Sequence, residues 1–308
     1  MQIPHPVPYQ GSKRKLAPLI APRIPRDVGT LFEPFAGSAA MTLHAAQHGL
    51  AKRFVLGDSL EGIVELWRGI VEQPEQTAAH YRAVWSGQPR NDPDYFNRVR
   101  ARYNRDRDPV DLLYLICRCV KNAVRFNSCG EFTQSVDRRR LGMRPDRMRS
   151  AVLGASQLLR GRVEFRHGDW QHTTADAGAR DFLYLDPPYL GTSVGRDKRY
   201  HRQLAPAELI EGLANLRARG VRFALSYDGS TGGRHYGPPL PEHLGLTRLL
   251  IEAGRSSQAT LVGRDERTIE SLYLSPELVA LDAVPRDRFN RRLARATPAN
   301  VKPESLAR

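Results

Sequence analysis

The sequence predicts an α/β fold, a doubly wound sheet interrupted by a mainly helical insert that carries a hairpin. Three observations predict it. A short apolar stretch, Leu31-Phe32-Glu33-Pro34-Phe35-Ala36-Gly37-Ser38-Ala39-Ala40, runs into a small-residue loop and then a helical pattern, which reads as strand, tight turn and helix. Between residues 60 and 159 strand patterns disappear and helical ones replace them. From Val163 onward strands return. The expected division is therefore a sheet domain over residues 1–59 and 160–285, an insert over 60–159, and a basic tail over 286–308, expected to be partly disordered.

Taken in order, residues up to about 59 read as helix, strand, helix, strand, with Lys52-Arg53-Phe54-Val55-Leu56-Gly57-Asp58 as the second strand. Within the insert, Gly62 to Val71, Tyr95 to Tyr103 and the strongly apolar Val110 to Val120 read as helices, and Asn127 to Arg149 as a projecting hairpin or loop. Pro206 to Arg219 is a crossover helix that feeds a strand over Val221 to Ser226. Gly229 to Pro241 reads as a mobile lid, a DNA-contacting loop or a plain surface connection. The Ala39 to Ala46 run is a good helix former, so Ala39 is expected in helical geometry.

With 308 residues, 47 Lys plus Arg against 33 Asp plus Glu give a net charge of +14 and a pI near 10.1. That balance predicts a polyanionic partner bound mainly through phosphates. A drift toward basic composition accounts for part of the excess, but Arg138-Arg139-Arg140, Arg144, Arg147 and Arg149 fall together beside the expected hairpin. Three cysteines, Cys117, Cys119 and Cys129, are too few for a disulfide framework or a structural zinc, so reduced thiols and no metal are expected. Neither a signal core nor a membrane-length apolar stretch is present, so the expected location is the cytoplasm or the nucleoid, and the expected state a monomer.

The apolar run Asp181-Phe182-Leu183-Tyr184-Leu185 ends in Asp186-Pro187-Pro188-Tyr189. A Pro-Pro pair by itself terminates strands in many proteins. The chemistry of these four residues also suits methylation of an exocyclic amine. An aryl amine has its lone pair delocalised into the ring, so acceptors must hold both N–H bonds and draw the lone pair outward. The Asp186 carboxylate is one acceptor and the Pro187 carbonyl the other, while Tyr189 offers a face on which an extruded base can lie.

The glycine loop followed about twenty residues later by Asp58 at a strand end is the pattern that holds adenosine ribose. No Lys-Ser or Lys-Thr pair closes the loop, which favours a cofactor without a phosphate chain.

Together these segments resemble the Dam-type (alpha-class) DNA adenine methyltransferases, which use S-adenosylmethionine. Pro8-Tyr9-Gln10-Gly11-Ser12-Lys13-Arg14-Lys15-Leu16 resembles the family's aromatic and Gly-x-Lys segment, Phe35-Ala36-Gly37-Ser38-Ala39 its Phe-x-Gly-x-Gly loop, and Asp58 its ribose acid. Val163-Glu164-Phe165-Arg166-His167-Gly168-Asp169-Trp170 resembles the strand whose acid lies beside the cofactor adenine. Asn122-Ala123-Val124-Arg125-Phe126-Asn127-Ser128-Cys129-Gly130-Glu131-Phe132 resembles the recognition hairpin. One departure is Ala39, where the family has its second glycine.

The resemblance implies a site-specific adenine N6-methyltransferase that flips its target out of double-stranded DNA. It implies catalysis by Asp186, Pro187, Pro188 and Tyr189, and a cofactor site of Tyr9, Gln10, Gly11, Ser12, Lys13, Glu33, Pro34, Phe35, Ala36, Gly37, Ser38, Ala39, Asp58, Ser59, Gly168, Asp169, Trp170 and Asp186. Asn122, Arg125, Asn127, Arg138, Arg139 and Arg140 are the expected DNA contacts, since Asn pairs bidentately with adenine and Arg with guanine; capping by Asn122 and phosphate contact by Arg125 are the plainer roles. The rival functions are methylation of an RNA adenine or a cytosine amine, and an inactive DNA-binding homologue. A restriction or phage-defence nuclease is a further possible partner.

Overall fold

The computed structural model describes residues 2–89, 92–188, 204–231, 234–235, 239–255, 267–282 and 301–303. Nine strands among them form one sheet: β1 (Thr30–Glu33), β2 (Arg53–Asp58), β3 (Val163–His167), β4 (Phe182–Leu185), β5 (Arg222–Thr231), β6 (Arg234–His235), β7 (Thr247–Arg255), β8 (Arg267–Leu274) and β9 (Val301–Pro303). Their order is β3-β2-β1-β4-β5-β8-β7-β9, with β6 paired to β5. β3 through β5 run parallel, and β8 is antiparallel to both β5 and β7. The chain leaves β1 toward β2 on one side and reaches β4 on the other, which opens a crevice at the carboxyl ends of β1 and β4, where α/β sheets bind ligands.

Alternation along the strands builds two cores. Leu31, Phe54, Phe182 and Tyr184 face one side; Phe32, Val55, Leu183 and Leu185 face the other. The second face is covered by α8 (Trp170–Thr173) and α9 (Pro206–Ala218), whose Trp170, Leu209 and Leu213 join it. The first is covered by α1 (Ala17–Ile20), α2 (Ala40–Gln47), α3 (Glu61–Glu72) and α7 (Pro145–Leu159). Its core continues without a break through Trp67, Tyr81, Phe96, Leu112 and Leu113 into α4 (Pro74–Ser86), α5 (Pro93–Asp106) and α6 (Pro109–Arg118). α10 (Pro276–Asp282) follows β8. Proline at the first position starts α4 to α7 and α9, where its missing N–H costs nothing. Asp92 and Asp108 cap α5 and α6 by accepting from Asp94 and Val110 N–H.

Three expectations need correction. Residues 145–149 are not loop but the first turn of α7, which buries Met148, Val152, Ala155 and Leu159 against α3 and α4. The strand over 221–226 continues as β5 to Thr231 through a bulge between Ser226 and Gly229, and 234–235 pair back on it, so that part of the expected lid is sheet. Residues 301–303 of the tail pair with β7; 286–300 and 304–308 lie outside the described residues. Ala39 is not helical: at φ 47°, ψ 39° it is left-handed, because the chain must turn sharply between β1 and α2, and Gly37 (φ 43°) does the same two residues earlier.

Candidate active site

The carboxyl ends of β1, β2 and β4 bring the expected residues together. At β1, Glu33 is 3 % exposed and accepts hydrogen bonds from the Met41 and Thr42 N–H groups (3.3 and 2.8 Å), so it caps the start of α2 from below. Burial pushes its carboxyl up to about 7, against the pull of those two donors. The loop above it closes when Ala36 N–H donates to the Gly57 carbonyl and the Trp67 indole N–H to the Gly37 carbonyl. Asp58, at the end of β2, accepts from Gly37 and Leu60 N–H (3.1 and 3.0 Å), and burial pushes its carboxyl up to about 6. Each carboxylate oxygen has a second lone pair, so these bonds leave acceptor capacity for hydroxyls.

The amino-terminal segment is tied across this loop. The Tyr9 ring lies over Gly37, where a Cβ would come 3.4 Å from it; Ser38 donates to the Ser12 hydroxyl (2.7 Å), and Gln10 N–H to the Asn122 carbonyl (3.0 Å). Gly11 turns the chain at φ 81°, and Lys13 is carried inward to 7 % exposure. Its Nζ donates to Gly11 O (3.3 Å) and to Asp186 Oδ1 (2.7 Å), and lies 3.7 Å from Glu270 Oε2. Burial works against the Lys13 charge, but Asp186 and Glu270 outweigh it and hold the ammonium well above its ordinary range. Burial pushes Asp186 up to about 6, with Lys13 opposing.

Beside this centre, Pro34, Phe35, Ser59, Gly168, Asp169, Trp170, Pro188 and Leu204 line an open pocket. Phe35 and Trp170 meet at 6.1 Å between ring centroids. Gly212 of α9 leaves room for the Trp170 ring, which any Cβ there would approach to 2.3 Å. Asp169 caps α8 by accepting from Gln171 N–H (2.9 Å). An aromatic slot with a hydroxyl and a carboxylate on its rim fits a nucleoside base, and Asp58 at the neighbouring strand end fits its ribose. Pro187 and Pro188 follow Asp186 as expected; Tyr189 lies outside the described residues.

On the insert side, Arg118 to Asp137 forms a hairpin, with bridges Cys119 to Val136 and Phe126 to Phe132. Asn104 of α5 grips Phe132 at both backbone groups, and the Phe132 ring packs edge to face against both Phe126 and Tyr103. Asn127 shapes the tip: its side chain accepts from Cys129 and Glu131 N–H and donates to Glu131 Oε2. At φ 53° Asn122 ends the α6 region, and its amide donates to the Ile116 carbonyl (2.8 Å) and accepts from Arg140 (3.3 Å), the plainer of its two expected roles. Arg139 and Arg140 both pair with buried Asp137, and Arg140 also donates to the Cys119 carbonyl. Arg138 is exposed beside them, and Arg125 is half-buried near the tip, its carbonyl accepting from Thr133 N–H.

A model of the D12 class N6 adenine-specific DNA methyltransferases matches residues 9–252. The chain belongs to this family. Among curated proteins, the chain is 29 % identical over 265 residues to the modification methylase StsI of Streptococcus sanguinis, covering 81 % of this chain and 37 % of that one. It is 28 % identical over 233 residues to the type II methyltransferase M.FokI of Planomicrobium okeanokoites (73 % and 35 %), and 24 % identical over 215 residues to the DNA N-6-adenine-methyltransferase of Escherichia phage P1 (65 % and 26 %). It thus spans about a third of the length of the first two relatives.

Sequence reasoning missed Glu270. The signal was available: one acid inside the apolar strand Thr268-Ile269-Glu270-Ser271-Leu272-Tyr273-Leu274. A third cluster, His80, Asp108 and Asp111, has spacing compatible with a metal, but Asp111 is bound bidentately by Arg102 and Asp108 caps α6. No helix among the described residues is long and apolar enough to cross a membrane.

Proposed function

We propose that this chain transfers a methyl group from S-adenosylmethionine to the N6 amine of an adenine flipped out of double-stranded DNA at one short sequence. The observation that carries the reading is a carboxylate, Asp186, fixed by Lys13 two residues before Pro188, which lines an aromatic pocket, in a chain of the adenine methyltransferase family. The cofactor supplies an electrophilic methyl group on a sulfonium. Phe35 and Trp170 hold its adenine, Asp169 and Ser59 the base edge, Asp58 the ribose, and the Tyr9 to Lys13 segment with the loop 33–39 closes around the remainder. Asp186 and the Pro187 carbonyl accept the two amine N–H bonds and localise the lone pair; Tyr189 stacks on the base. With its proton affinity raised by burial, Asp186 takes up the proton that N6 releases.

The insert over 60–159 contacts the DNA. Within it α3 and α7 cover the sheet, so the DNA-facing part is the hairpin with Arg125 and Asn127 reading base edges and Arg138, Arg139 and Arg140 near phosphates. Asn122 acts on recognition only by shaping the hairpin. Two relatives carry the names of modification methylases, which supports a restriction nuclease as a functional partner; a monomer acting in the cytoplasm completes the reading.

The test is single-molecule sequencing with modified-base detection of DNA from cells that express the wild type or Asp186→Ala. N6-methyladenine at one motif, present only with the wild type, is the expected result. Methylation absent from both, with soluble protein, would overturn the reading.

A further inference from the structure

Lys13 sits between two acids from opposite sides of the sheet centre: Asp186 at the end of β4 and Glu270 on β8, whose Cα is paired with Gly229 across the bulge of β5. Both carboxylates are about four-fifths covered, at 20 % and 19 % exposure, and the ammonium at 7 %. Among the described residues one ammonium meets two carboxylates here, all three largely covered, where charges act strongly on one another.

We infer that Glu270 is a positioning residue that acts through Lys13: it draws part of the ammonium's attraction away from Asp186 and keeps Asp186 a strong proton acceptor. The inference rests on the methyl-transfer reading given above. In that reaction the N6 lone pair forms the new bond to the methyl carbon, the bonding pair to sulfur stays with sulfur, and one amine proton passes to an Asp186 oxygen. A carboxylate alone with Lys13 forms a tight pair, whose acid is a weak base. A second acid on the same ammonium weakens that pair without removing the lysine that aims the carboxylate.

The other groups around Asp186 do not replace this role. Glu33 of β1 is also an acid close enough to be felt, but its oxygens are bound to the N–H groups of α2 and it makes no contact with Lys13 among the described hydrogen bonds. Tyr184 of β4 lies near Lys13, with its hydroxyl on Ser226 of β5 (2.8 Å). Arg248 of β7 and Asp228 of β5 pair with each other at 3.3 Å, and Asp228 also accepts from Tyr273 (3.0 Å).

The experiment follows the Asp186 proton directly. Carboxyl carbons are labelled with ¹³C and titrated by NMR in the wild type, Glu270→Gln and Glu270→Asp, with Asp186→Asn to assign the signal. Methyl transfer from tritiated S-adenosylmethionine to unmethylated DNA is measured over the same pH range. Glu270→Gln is expected to move the Asp186 midpoint and the acid limb of kcat/KM about one pH unit lower, with Glu270→Asp closer to wild type. A purely structural role would lower the rate at every pH and leave the midpoint in place, and that result overturns the inference. Should the wild type transfer no methyl group, the functional reading falls, while the NMR midpoint still decides what Glu270 does to Asp186.

Discussion

The active-site crevice and the recognition hairpin are built from the same charged residue types and treat them in opposite ways. In the crevice, Glu33, Asp58 and Asp186 stand at three neighbouring strand ends, Asp186 on Lys13 and the other two on backbone N–H groups, and their carboxyls rise to about 7, about 6 and about 6. On the hairpin the Arg139 guanidinium, helped by Arg140, holds Asp137 down to about 2. In the crevice desolvation is the first cause of each shift and outweighs the donors, whereas on the hairpin the arginine contact comes first and desolvation second. A deep acid with few donors is eager for a proton, as a catalyst needs, and one held by two guanidiniums is a structural anion.

The largest expected effect breaks the crevice. Asp186→Asn keeps the shape but removes the proton acceptor, and methyl transfer should fall roughly a hundred- to ten-thousand-fold, while equilibrium dialysis still detects S-adenosylmethionine binding. Retained activity in this variant would mean that Asp186 only shapes the loop. Next, Phe35→Ala removes one wall of the nucleoside pocket and should weaken cofactor binding by about 1 to 3 kcal/mol, read by calorimetry.

The hairpin offers a smaller, sharper contrast between neighbours. Arg138→Ala should lower DNA affinity evenly across sequences and reduce the salt slope by about one, with unchanged melting. Arg140→Ala should instead cost about 1 kcal/mol of stability, because it releases the Cys119 carbonyl and Asp137. Equal melting curves for the two variants would erase the distinction. Ala39→Gly, at a left-handed position, should add about 1 kcal/mol of stability in chemical denaturation.

pH separates the two regions as well. Glu33 is raised in the folded state, so its stabilisation is fully present below the unfolded value of 4.5 and is lost as pH rises through about 7. Asp137 is depressed, so its contribution is present above 3.8 and lost as pH falls through about 2. Relative to Glu33→Gln, the wild type should therefore lose stability between pH 5 and pH 8. A flat difference would show that Glu33 stays ionised when buried.

Much of the crevice was legible because its chemistry needs particular residues contiguous in the chain: the loop 33–39, Asp58 and Asp186-Pro187 are local statements. Glu270 was not, since it reaches Lys13 only through the pairing of β8 with β5, a long-range register that no local pattern encodes. α7 was missed although Pro145 and the stripe Met148, Val152, Ala155 and Leu159 announced it, because the arginines around them drew attention to charge. Asn122 kept two readings for a similar reason: an amide that suits adenine equally suits an exposed carbonyl at the end of a helix. Ala39 shows the limit of propensity, where a turn imposed by the strand and helix on either side overrides a residue's own preference.

The most direct test of the central claim is chemical. Purified protein is incubated with unmethylated double-stranded DNA and S-adenosylmethionine, and the digested nucleosides are analysed by mass spectrometry. N6-methyldeoxyadenosine, lost with Asp186→Asn, is the predicted result; N4-methyldeoxycytidine in its place, or N6-methyldeoxyadenosine undiminished in the variant, would contradict the account.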